Sequence, residues 1–189
     1  LSSEDGLLYA GLVNLWFEDY EKALPFFEII CNQNPLHYDA FMLKGYCLFE
    51  MEEYEKSIKV YKTALKQNNN DYEVFYLLGL SQANNLNYKD AMKSFEKTID
   101  LNPECIDAKY ATSLVYIKQN KYNDAIRILN EIIKENPEYY YAYNDLGWIY
   151  DEQKHYNKAV EVYEKLISIF PYYVDAYVIL GGNLSKMAS

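Results

Sequence analysis

The sequence predicts an all-α chain of stacked antiparallel helix pairs, and three observations carry that prediction. A short phrase, DYEKAL at 19–24, returns as EYEKSI (53–58), NYKDAM (87–92), KYNDAI (121–126) and HYNKAV (155–160), always 34 residues on. Within each period the apolar residues step by three and by four, the spacing of one helix face. Gly and Pro are scarce, seven and five in 189 residues, which suits helices better than turn-rich β-structure.

Counted from Glu4, the chain divides into five full copies, 4–37, 38–71, 72–105, 106–139 and 140–173, and a terminal helix at 174–187. The whole, 1–189, reads as one domain and as a piece of a longer chain. The first residue of each copy is position 1. Positions 4, 7, 8 and 11 mark one face of a first helix, and positions 20, 24 and 27 one face of a second. Position 8 is Gly11, Gly45, Gly79, Ser113, Gly147 and Gly181. Position 20 is Ala23, Ser57, Ala91, Ala125 and Ala159, and position 24 is Phe27, Tyr61, Phe95, Leu129 and Tyr163. Gly inside a helix costs about 1 kcal/mol against Ala, so its return at position 8 implies close helix packing. The large residue at 24 is expected to fill space between hairpins. The Tyr of each phrase, Tyr20, Tyr54, Tyr88, Tyr122 and Tyr156, begins the second helix and seals the turn before it. Position 32 is Pro35, Asn69, Pro103, Pro137 and Pro171, and Pro there ends the second helix.

These residues resemble the tetratricopeptide repeat, whose signature runs W-x2-L-G-x2-Y, then A-x3-F, then P, over 34 residues. The fifth copy fits best, with Tyr143, Leu146, Gly147, Tyr150, Ala159, Tyr163 and Pro171. Departures are local: Asn14 at position 11, Lys109 at position 4 and Ser113 at position 8. The resemblance covers essentially the whole chain. It implies a right-handed superhelical solenoid of antiparallel helix pairs, with a concave groove lined by first helices. One hairpin cannot bury its apolar face alone, and stacking neighbours do it for each other.

The resemblance also implies which positions face the groove. Position 5 reads Leu8, Met42, Tyr76, Tyr110 and Asn144; position 9 reads Leu12, Tyr46, Leu80, Leu114 and Trp148. Position 12 reads Leu15, Phe49, Ala83, Ile117 and Asp151. The expected partner-binding set is Leu12, Tyr46, Tyr76, Leu80, Tyr110, Leu114 and Trp148, an apolar and aromatic surface for a protein or peptide segment. At positions 5 and 12, packing between adjacent first helices is an equal reading. Position 2 adds Asp39, Glu73 and Asp107, an acidic rail for basic flanks of that ligand; acids in a first helical turn also complement the helix dipole whatever binds. Another segment of the same natural chain is a third candidate to fill the groove. The carboxylate clamp of some chaperone partners needs Lys, Asn and Arg. This chain offers Leu8, Leu12, Leu43, Glu73 and Leu77 instead, so a chaperone C-terminal tail is not an expected ligand.

A net charge of −10 repels phosphate backbones and anionic lipid, so nucleic acid is not an expected partner. No apolar run reaches membrane-spanning length, so no direct membrane insertion is expected. Cys31, Cys47 and Cys105 form no metal motif and read as packing residues in a reducing compartment, which suggests the cytoplasm. His37 and His155 lie about four repeats apart in turns, and no catalytic or cofactor motif surrounds them. The expectation is therefore no catalytic residue, no cofactor and no metal. At the start, Ser2 or Ser3 is read as a cap for the first helix, with Glu4 and Asp5 in its first turn. At the end, Val178, Ile179, Leu180 and Leu184 are too apolar for a capping helix. Three functions stay open: a scaffold binding an apolar or amphipathic segment in its groove, a non-catalytic arm of a larger enzyme, and a homodimer joined through the C-terminal helix.

Overall fold

The computed structural model describes residues 3–187, and among them it holds eleven helices and no strand. They are α1 (Ser3–Trp16), α2 (Tyr20–Gln33), α3 (Tyr38–Glu50), α4 (Tyr54–Gln67), α5 (Tyr72–Asn84), α6 (Tyr88–Leu101), α7 (Ile106–Lys118), α8 (Tyr122–Glu135), α9 (Tyr140–Glu152), α10 (Tyr156–Ile169) and α11 (Val174–Met187). Each 34-residue copy is one helix pair. Glu4 and Asp5 lie in the first turn of α1; Ser2, the other suggested cap, lies outside the described residues.

The helices form two compact units, residues 1–108 and 109–189, with the boundary inside α7. In the first unit α1 to α6 pack each on the next; in the second, α8, α9, α10 and α11 do so.

The glycines at position 8 explain the close packing. A Cβ added at Gly11, Gly45, Gly79 or Gly147 would lie 2.5–2.6 Å from the ring of Phe27, Tyr61, Phe95 or Tyr163. The position-24 aromatic thus sits on the glycine of its own hairpin. It also reaches towards the next one: Tyr61 shares a cluster with Val74 and Leu78 of α5. Copy four keeps the space by a different division. Ser113 is larger than Gly, Leu129 is smaller than an aromatic ring, and both are fully buried. Asn14 and Lys109 are also accommodated. The Asn14 amide donates to the Ala10 carbonyl (2.8 Å), and Lys109 Nζ reaches Glu135 Oε2 (2.6 Å).

The two turns of each repeat are built differently. Between first and second helix, Glu18, Glu52, Leu86, Asn120 and Lys154 all take φ of 55–61°, the left-handed region. Each belongs to a Schellman motif. In copy two the Glu53 N–H donates to the Leu48 carbonyl (2.8 Å) and the Glu52 N–H to the Phe49 carbonyl (2.9 Å). Between copies, an Asn carboxamide at position 31 accepts the N–H two residues on. Asn34, Asn68, Asn102 and Asn136 do so to Leu36, Asn70, Glu104 and Glu138, each at 3.2 Å. Copy two therefore turns without Pro because Asn68 supplies the same bond.

Candidate functional site

In the first unit, the first helices bring part of the predicted set together. A depression of about 500 Å³ is lined by Leu8, Leu12, Tyr38, Asp39, Met42, Leu43, Asp71 and Glu73. Leu8 and Leu12 come from α1, at positions 5 and 9, and Met42 from position 5 of α3. Helical spacing puts them on one side of their helices. Asp39 and Glu73 come from the first turns of α3 and α5. The result is an apolar floor bordered by three carboxylates.

Tyr38 and Asp71 are residues that sequence reading does not single out. The Tyr38 hydroxyl donates to Asp71 Oδ2 (2.6 Å). Asp71 Oδ1 accepts the N–H of Glu73 (2.9 Å) and of Val74 (3.3 Å), capping α5. Asp71 thus fixes both the start of α5, which carries Glu73, and the Tyr38 ring at the wall of the depression. Burial, then the Asp71 carboxylate, holds the Tyr38 hydroxyl well above the ordinary phenol range. The visible signal is the pair DY at 71–72, an Asp directly before a helix start.

The four predicted aromatics, Tyr46, Tyr76, Tyr110 and Trp148, are tied into repeat packing. Tyr46 meets the Tyr20 ring edge-on at 6.0 Å, and Trp148 meets Tyr122 likewise at 6.1 Å. In both pairs the turn Tyr of one copy touches position 9 of the next. Burial, with Tyr20 beside it, pushes the Tyr46 hydroxyl up to about 12. Trp148 still leaves 39 % of its surface exposed. Tyr76 is half-buried against Phe95 (6.2 Å), and burial, with the Asp107 carboxylate nearby, pushes its hydroxyl up to about 12. Tyr110 donates to Asp145 Oδ2 (2.7 Å) and packs against Tyr139 and Tyr141. Leu80 and Leu114 are half-buried, whereas Asp107 is exposed in the first turn of α7.

Among the described residues no group of three His, Cys, Asp or Glu could hold a metal ion. Cys31 and Cys47 are buried, and burial pushes their thiols up to about 11 and about 12, away from reactive thiolates. His37 Nδ1 accepts the Ala40 N–H (3.2 Å), a cap for α3. Asn183 begins the triplet Asn-Leu-Ser at 183–185, which matches an N-glycosylation acceptor, and is 1% exposed. No helix among the described residues is long and apolar enough to cross a membrane.

Comparison with known proteins agrees with this architecture. The family model of the cytochrome c-type biogenesis protein H TPR domain matches residues 61–173, more than half of the chain. That of anaphase-promoting complex, cyclosome, subunit 3 matches residues 16–83. No curated protein matches the sequence. Among solved structures, MamA is similar with a TM-score of 0.78 at 19% identity, covering 91% of this chain and 94% of its own. YrrB, described as a TPR protein with an unusual peptide-binding site, gives 0.71 at 18% identity, covering 92% and 89%. A tetratricopeptide repeat protein from Parabacteroides merdae gives 0.81 at 17% identity, covering 98% and 74%. At these identities the structural likeness shows the fold. Helix pairs, glycine–aromatic contacts and family match agree, and the chain belongs to the tetratricopeptide repeat family, matching the model of the cytochrome c-type biogenesis protein H TPR domain.

Proposed function

We propose that this protein–protein interaction scaffold captures an apolar or amphipathic peptide with basic flanks on the first-helix face of residues 3–108. The observation that carries the reading is the depression with Leu8, Leu12, Met42 and Leu43 on its floor and Asp39, Asp71 and Glu73 around it. An apolar floor desolvates an apolar side chain, and about 25 cal/mol is gained per Å² of apolar surface removed from water. The carboxylates choose the flanks: Lys or Arg is attracted, Asp or Glu repelled, and the net charge of −10 steers in the same sense. Peptide binding by the fold neighbour YrrB supports a peptide as the class of ligand. Leu12, Asp39 and Glu73 line this depression, which supports assigning them to the binding surface.

The test is fluorescence anisotropy with two synthetic helical peptides. Both carry Leu at i, i+3, i+4 and i+7; one has Lys flanks and the other Glu flanks. The Lys-flanked peptide is expected to bind, and Met42→Glu to abolish binding with the circular dichroism unchanged. Asp39→Asn with Glu73→Gln is expected to reduce preference for the Lys-flanked peptide. Equal binding of both peptides, or binding untouched by Met42→Glu, would refute the reading.

A further inference from the structure

Tyr143 carries a hydroxyl that its packing does not need. It stands at position 4, which reads Leu7, Phe41, Phe75, Lys109 and Tyr143 in the five full copies. Phe fills the position in copies two and three. Tyr143 is 1% exposed, and among the described residues its hydroxyl has no hydrogen-bond partner. The other polar side chains at this position are bonded: Lys109 reaches Glu135, and Tyr177 of α11 donates to the Pro171 carbonyl (3.1 Å). A buried hydroxyl without a bond has given up its hydration for nothing, so it calls for a partner.

The ring borders a pocket of about 190 Å³ within the second unit. Tyr143 and Leu146 of α9 form its buried floor. Asn130 and Ile133 of α8 make one wall, and Glu161, Val162 and Lys165 of α10 the other. The pocket carries both signs of charge. Glu161 and Lys165 stand about 6 Å apart along α10, at 1.5 Å per residue. Glu and Lys at this spacing ordinarily pair. Lys165 Nζ lies over the Tyr143 ring, 5.6 Å from its centroid, and not on Glu161. The Asn130 amide donates to the Ile126 carbonyl (2.8 Å), which leaves its Oδ1 as an acceptor. Ile133 and Leu146 are buried and Val162 half-buried, an apolar side to the same space.

We propose that this pocket binds a small free α-amino acid with an aliphatic side chain. Its carboxylate takes Lys165 and the Tyr143 hydroxyl, its ammonium takes Glu161 and the Asn130 carbonyl oxygen, and its side chain lies against Ile133, Leu146 and Val162. An anion alone would meet Glu161, and a cation alone would meet Lys165; a zwitterion satisfies both. An α-amino acid holds its two charges one carbon apart, which suits two groups a single helical turn apart. The volume sets the size. It lies below the roughly 300–1,000 Å³ of a drug-sized site, and equals about six waters at roughly 30 Å³ each. The pocket belongs to the second unit and takes a different class of ligand from the first-unit depression.

Methyl-resolved NMR of the protein titrated with L-valine tests the proposal. Saturable shifts are expected at the methyl groups of Ile133, Leu146 and Val162, which line the pocket. N-acetyl-L-valine lacks the ammonium and L-valinamide lacks the carboxylate, and each is expected to bind about tenfold or more weakly than L-valine. Tyr143→Phe is expected to raise the dissociation constant for L-valine by about tenfold. It should do so without lowering the urea midpoint, because Phe fills position 4 elsewhere and no hydrogen bond of the protein is lost. Tyr150→Phe, about two turns further along α9, is expected to leave the affinity unchanged. No saturable shift with L-valine overturns the proposal and leaves the pocket to water. Equal affinity for L-valine and its two blocked forms, or an affinity untouched by Tyr143→Phe, overturns it as well.

Discussion

Replacing Gly147 with Ala probes the packing that repeats along the chain. The new Cβ would lie 2.6 Å from Cε2 and Cζ of Tyr163 and 3.0 Å from its Oη. Carbon atoms rest at about 3.5–4.0 Å, so the ring must withdraw by about 1 Å. Tyr163 is 1% exposed and has little room to do so. Overpacking of this kind costs about 1–3 kcal/mol. Ala also gains about 1 kcal/mol of helix propensity over Gly, which partly masks the clash. Gly181→Ala collects the same gain with nothing within 4 Å. The difference between the two variants therefore isolates the clash, and urea unfolding followed by circular dichroism should place Gly147→Ala about 1–3 kcal/mol below Gly181→Ala. Copy four suggests the rescue, since it pairs Ser113 with Leu129. Adding Tyr163→Leu to Gly147→Ala should give a favourable coupling in a double-mutant cycle. Equal stability of the two Ala variants, or zero coupling, would refute the argument.

Three further outcomes follow from other parts of the fold. Leu86 and Lys154 hold left-handed φ without being Gly, so Leu86→Gly and Lys154→Gly should each stabilise by about 0.5–1 kcal/mol in the same unfolding assay. Asp71→Ala removes the cap of α5 and the acceptor for Tyr38, and should cost about 1–2 kcal/mol by urea unfolding. Tyr46 and Tyr76 have hydroxyls raised from 10.0 to about 12 in the folded chain. Above pH 10 the unfolded chain loses these protons first, so stability is fully present below that pH and falls as pH rises towards 12. Urea midpoints measured across that window should decline, and Tyr76→Phe should make the decline shallower.

The fold was legible because every copy solves the same packing problem with the same residue types. Gly at position 8 against a large residue at 24 needs no other copy to interpret it, and the period did the alignment. The left-handed turn residue was not legible. Glu18, Glu52, Leu86 and Lys154 carry no Gly signature, and their conformation is imposed by the Schellman bonds at each helix end. The Asn carboxamides at position 31 were visible beside Pro, yet their role appears only once the turn closes. For the candidate site, position 9 showed where aromatics lie but not what they touch. The turn Tyr of one copy reaches Tyr46 or Trp148 of the next, a contact set by stacking rather than by sequence neighbours. Asp71 was hidden for the same reason, because its second partner, Tyr38, lies 33 residues away.

Methyl-resolved NMR of the protein titrated with the Lys-flanked Leu peptide tests the proposed groove most directly. Saturable shifts are expected at the methyl groups of Leu8, Leu12, Met42 and Leu43, which line the depression. Methyls of Leu129 and Ile132 in the buried core of the second unit should stay still. Shifts confined to α11, or none at all on a peptide that binds, would contradict the groove.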